Sequence, residues 1–301
     1  MRRHPTMIPM MIMMDQPLVS AEWLAAHLGD VVVADVRWYL DGRSGHDAYL
    51  QGHIPGAVFV DLDRDLSAPP EQSRGRHPLP EPEEFARAMG ARGIGDADPV
   101  VAYDDNGGSI AARLWWMLDA AGRQAAVLNG GLQAWLGKGG AAAAGAPGRP
   151  LEAGEARRPA ATFTPQPWPA KLLASADDID RLRGDQEALV IDARAPERYS
   201  GALESIDPRA GHIPGAWNAP WAGNLNPGNG RFRDPGALRG RFAALGPGQP
   251  SEIAVYCGSG VTACHDVLAL RLAGIQARLY VGSWSQWSAD KERPLATGDQ
   301  P

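Results

Sequence analysis

The sequence predicts an α/β protein of two tandem domains, each a mainly parallel sheet flanked by helices. Three observations carry this. The hexapeptide Gly52-His53-Ile54-Pro55-Gly56-Ala57 recurs as Gly211-His212-Ile213-Pro214-Gly215-Ala216, at an offset of 159. Around each copy, short β-prone apolar runs alternate with segments of helical spacing, the pattern of parallel strands joined by crossover helices. The chain has 301 residues, 44% hydrophobic and 21% charged, which suffices for two ordinary globular domains.

Residues 1–16 are expected to form a tail outside the fold. Met1 to Met14 has a basic start, but its apolar part is broken by Pro9 and is too short to span a bilayer. No small-residue cleavage site follows it, as a signal peptide would require. The first domain, 17–138, then opens with the strand Val31 to Asp35, which ends in an acid. The Gly-His-Ile-Pro-Gly turn and a second extended run, Val58 to Val60, come next. Val100 to Tyr103 follows as a strand, leading through Asp104 to a long helix. The strand Ala125 to Leu128 and a helix carrying Trp135 complete the unit.

Residues 139–169 are rich in Gly, Ala and Pro and keep no regular period, so they read as a linker crossing the surface between domains. The second domain, 170–298, repeats the order: Ala188 to Asp192, the turn, Trp217 to Ala219, Ile253 to Tyr256, a long helix, Ala277 to Val281, and a helix with Trp287. In each turn, Pro presets φ at the second position and Gly supplies a positive φ at the third, a type II turn. His53 and His212 beside these turns are expected to be structural, hydrogen-bonded residues.

The position equivalent to Asp104 is Cys257. It opens the segment Cys257-Gly258-Ser259-Gly260-Val261-Thr262, between a buried strand and a helix beginning near Val261. Loop amides and the helix N-terminus both face such a sulfur, and this environment favours the thiolate. The sequence has therefore built a nucleophile. Cys264, the other cysteine, lies on the following helix and reads as an inert buried thiol.

Composition excludes several classes. A net charge of −6 argues against nucleic-acid binding. Two cysteines seven apart make no disulfide framework, so a reducing compartment, the cytoplasm, is expected. None of the seven histidines has metal-ligand spacing with the cysteines. No metal, no cofactor and no membrane partner are expected.

The duplicated Gly-His-Ile-Pro-Gly domain resembles the tandem-domain rhodanese superfamily over residues 17 to 298. The loop from Cys257 to Thr262 is similar to the active-site loop of 3-mercaptopyruvate sulfurtransferases. The resemblance implies a catalytic second domain and a first domain that has lost its cysteine, as Asp104 does here. It implies that Cys257 takes sulfur from a small-molecule donor, 3-mercaptopyruvate or thiosulfate, and holds it as a persulfide. The amides of Gly258, Ser259, Gly260, Val261 and Thr262 would cradle this anion. A thiol, reduced thioredoxin or cyanide would then remove the outer sulfur.

The resemblance also implies a relay of Ser259, His77 and Asp63, the last two from the first domain. It further implies a substrate arginine at Arg198 and, at a spacing that departs from the family pattern, a second at Arg209. Thiosulfate-preferring relatives carry basic side chains just after the cysteine. Gly258 and Ser259 are neutral, which favours 3-mercaptopyruvate, with thiosulfate:cyanide transfer as the alternative. A related phosphatase would need an arginine six positions after the cysteine, where Ala263 stands. A non-catalytic binding module fits the first domain alone.

Overall fold

A computed structural model describes residues 16–138, 148–246 and 248–301. Residues 1–15 of the expected tail and 139–147 of the expected linker lie outside the described residues. The first domain contains β1 (Leu18–Val19), α1 (Ala21–Ala26), β2 (Val32–Asp35), α2 (Gly45–Gln51), β3 (Val58–Phe59), α3 (Pro82–Ala91), β4 (Val100–Tyr103), α4 (Ala111–Ala120), β5 (Ala125–Leu128) and α5 (Gly131–Trp135). The second contains α6 (Ala176–Leu182), β6 (Ala188–Asp192), α7 (Pro196–Tyr199), β7 (Ala216–Asn218), α8 (Pro235–Ala243), β8 (Glu252–Tyr256), α9 (Ala263–Leu272), β9 (Arg278–Leu279) and α10 (Ser283–Ala289).

The strand order is β1-β5-β4-β2-β3 in one sheet and β7-β6-β8-β9 in the other. Every pairing between these strands is parallel. The central strands β2, β4 and β6 are buried along their whole length. That is why they read as unbroken apolar runs instead of alternating ones. Helix starts follow local rules: Ser175 and Asp178 form a capping box on α6, and Asp234 caps α8 ahead of Pro235.

The duplication reaches the side chains. Arg37 donates to Asp35 and to the carbonyl of Gly52, and Arg194 donates to Asp192 and to the carbonyl of Gly211. His53 and His212 are fully buried and donate through Nδ1 to the carbonyls of Tyr49 and Tyr199, with the rings stacked. Tyr103 and Tyr256 hydroxyls accept from the amides of Ile54 and Ile213. These histidines thus fasten the turn to its sheet.

The described part of the expected linker, 148–169, has no helix or strand but does not simply cross the surface. Glu152 bridges to His53, the Ala161 amide donates to Gly90, Phe163 is buried against Phe85, and Trp168 donates to Pro80. Aromatic burial holds it to the first domain. Helices α4 and α9 pack together across the domain boundary. No helix among the described residues is long and apolar enough to cross a membrane.

Candidate active site

The site is built on the loop between β8 and α9. Cys257 is 2% exposed, and the Gly260 amide donates to its Sγ at 3.2 Å. Gly260 has φ +77°, and a Cβ there would stand 2.3 Å from the Val281 carbonyl, so only glycine fits. The Cys257 amide donates to Ser283 Oγ, which itself donates to the Tyr280 carbonyl. Ser283 has φ +52°, the only positive φ outside glycine among the described residues. Gly131 holds the same conformation, φ +53°, at the start of α5 in the first domain. The serine accepts roughly 1 kcal/mol of strain and in return pins the Cys257 loop.

The first domain supplies the neighbouring groups. Ser259 Oγ donates to His77 Nδ1 at 2.7 Å, and His77 Nε2 donates to Asp63 Oδ1 at 3.2 Å. Trp38 donates to the other oxygen of Asp63 and packs edge-on against the His77 ring. The hydrogen bond from His77 holds the Asp63 carboxyl below its ordinary range. The structure thus brings Ser259, His77 and Asp63 into one line across the domain interface.

Arg198, in α7, also reaches the loop. A Cβ on Gly258 would stand 3.1 Å from Arg76 Nη2 and 3.2 Å from Arg198 Nη1. Gly258 has no positive φ, so its smallness serves this close approach of two guanidinium groups, not backbone strain. Arg198 Nη2 donates to Glu204 and Asp207, and Arg76 donates to the same Asp207. Against burial, the amides of Asp207 and Ile206 and the charge of Arg198 hold Glu204 below its usual range. Burial raises Asp207, opposed by both guanidiniums.

Arg209 is not part of this group. Its guanidinium donates to the carbonyls of Trp287, Ser288, Asp290 and Arg293 and so caps the end of α10. With four carbonyls on its guanidinium, the structure does not bring Arg209, expected to bind substrate, to the loop beside Arg198. The second arginine beside the loop is Arg76, from the first domain. Its neighbourhood to His77 in Arg74-Gly75-Arg76-His77 was the available signal.

The equivalent loop of the first domain carries Asp104. Asp104 is buried, and its two oxygens accept from the amides of Asn106, Gly108, Ile110 and Ala111. Its carboxyl group sits in a cradle of loop amides at the position where the second domain carries Cys257, and those amides oppose the rise that burial imposes on it. Asp104→Asn leaves two inward N–H groups facing an amide nitrogen. It is expected to cost about 2–3 kcal/mol of stability, read as a lower urea midpoint at unchanged slope. An unchanged midpoint would contradict the amide-cradle description.

Cys264 is fully buried, and burial pushes its thiol up to about 12. No cluster of three or more His, Cys, Asp or Glu among the described residues has the arrangement to hold a metal ion.

The Rhodanese-like domain model matches this chain twice, over residues 20–138 and 175–290. A protein of Pseudomonas aeruginosa named as a probable 3-mercaptopyruvate sulfurtransferase is 46% identical, over 94% of this chain and 98% of its own. SseB of Mycobacterium tuberculosis, named for thiosulfate sulfurtransfer, is 40% identical over 94% and 98%. Among solved structures, SseA of Escherichia coli, a 3-mercaptopyruvate sulfurtransferase, superposes with a TM-score of 0.75 at 33% identity, covering 89% of this chain and 99% of that one. The chain belongs to the rhodanese family, as a sulfurtransferase built of two such domains.

Proposed function

We propose that the enzyme moves sulfur from 3-mercaptopyruvate through a Cys257 persulfide to a thiol acceptor. The observation that carries this is the Cys257 sulfur on its amide loop, with the Ser259-His77-Asp63 line and the Arg198 guanidinium beside it. The Cys257 thiolate attacks the donor sulfur. The carbon–sulfur bond breaks and its electron pair goes to carbon, giving the enolate of pyruvate. The proton from the donor thiol passes through Ser259 and His77 to that carbon, so pyruvate leaves and the anionic persulfide remains. An acceptor thiol then attacks the outer sulfur, leaves as its own persulfide, and restores the Cys257 thiolate.

Donor choice rests on charge. The loop itself has no cationic side chain, but Arg76 and Arg198 bring two positive charges to it. Glu204 and Asp207 offset both, so the cluster offers no surplus charge to a dianion such as thiosulfate. Arg198 Nη1 remains directed at Gly258 and suits a single carboxylate. Steady-state kinetics with both donors test this. kcat/KM for 3-mercaptopyruvate is expected to exceed that for thiosulfate at least tenfold, about 1.4 kcal/mol. Equal or better use of thiosulfate would overturn the donor assignment and favour the second reading, to which Arg76 beside Gly258 lends support.

Arg198→Ala is expected to lower mercaptopyruvate kcat/KM by about 10- to 150-fold, the loss of a charge-assisted pair of roughly 1.5–3 kcal/mol. Arg209→Ala acts on stability instead, because its partners are carbonyls at the end of α10.

A further inference from the structure

We propose that Arg113, a residue of the inactive domain, is the fixed counter-charge of the Cys257 sulfur. The proposal rests on the sulfur-transfer reading above and adds a positioning residue to it. Arg113 lies on α4 and is wholly buried. Its guanidinium donates to three neutral carbonyls: Gly260 in the catalytic loop, Leu66, and His77 of the relay. No carboxylate pairs with it among the described residues. An isolated buried cation is costly unless an anion balances it, and a guanidinium does not escape by losing its proton at working pH.

Two thiols feel its charge: Cys264, which is hydrogen-bonded to it, and Cys257, whose Sγ accepts from the amide of the same Gly260 that Arg113 holds by its carbonyl. Cys264, pushed up to about 12 by burial, stays neutral. Cys257 is then the group left to carry the balancing charge, as thiolate and as persulfide. The other charged groups around the loop already have partners: Arg76 and Arg198 pair with Asp207 and Glu204, and Asp63 accepts from His77 Nε2 and the Trp38 indole.

The duplicate supplies an internal comparison. The carbonyl of Gly107, equivalent to Gly260, also receives a donor from the long helix of the opposite domain, but that donor is His265. Burial lowers His265 to about 3, so it is a neutral imidazole. A neutral donor is therefore enough to hold such a loop, and that loop carries the Asp104 carboxyl group with its own four amides. The guanidinium stands over the loop whose sulfur carries the negative charge through the cycle.

The test needs no donor, so its failure is separable from a failure of sulfur transfer, which would show as absent turnover. The rate of Cys257 alkylation by iodoacetamide is followed against pH in the wild type, Arg113→Met and Arg113→Lys. Arg113→Met is expected to react at least tenfold more slowly at neutral pH, with its profile moved to the alkaline side. Arg113→Lys, which keeps the charge but cannot span three carbonyls, is expected to recover most of the rate. A wild-type profile in Arg113→Met, or Arg113→Lys behaving as Arg113→Met, would overturn the proposal. Should both variants fail to fold, melting of Cys257→Ser against the wild type decides. The serine protein should melt lower at neutral pH, and the gap should close as the medium is acidified and the thiolate lost. A gap that is absent or independent of pH would contradict it.

Discussion

Cys257→Ser is expected to abolish sulfur transfer from either donor while leaving the fold intact. A serine hydroxyl at this position is not ionised by loop amides, and oxygen does not form the sulfur–sulfur bond that carries the group between half-reactions. The protein has no second candidate: Cys264 is buried and held neutral, and the equivalent position of the first domain is Asp104. Residual turnover should fall to background, a loss of several orders of magnitude. Circular dichroism that matches the wild type would show that folding is not the cause. Retained turnover would mean that the loop is a binding platform and that chemistry occurs elsewhere.

His77→Ala is expected to lower kcat with 3-mercaptopyruvate by about 100- to 10,000-fold, the range of a positioned proton-transfer group. Its effect should depend on the donor. Mercaptopyruvate must lose a thiol proton and gain one on carbon, and the Ser259-His77-Asp63 line can move it. Thiosulfate has no such proton and releases sulfite, so its turnover should be nearly unaffected. Ser259→Ala should show the same asymmetry. An equal loss with both donors would assign His77 to loop positioning, since its carbonyl is also tied to Arg113.

The fold was legible because it is written twice. The repeated turn, the acid-ending strands Val32–Asp35 and Ala188–Asp192 and the loop around Cys257 are local features, set by residues close in sequence. What lay hidden comes from the interface. Arg76 and Asp207 sit on irregular segments that meet only when the domains close. Arg209 stood near the turn where a substrate arginine was expected, yet the carbonyls at the end of α10 claim it. Arg113 left a trace: within α4 it is a charge set in the apolar run Ala111-Ala112-Arg113-Leu114-Trp115-Trp116-Met117-Leu118, with Asp119 only in the last turn. Ser283 left none, because a positive φ at serine has no signature in sequence.

The most direct test is mass spectrometry of the enzyme after exposure to 3-mercaptopyruvate with no acceptor present, followed by peptide mapping. One added sulfur on the peptide containing Cys257, removed on adding a thiol, is the predicted result. Sulfur mapping to Cys264, or an enzyme that releases pyruvate while gaining no sulfur, would contradict the account.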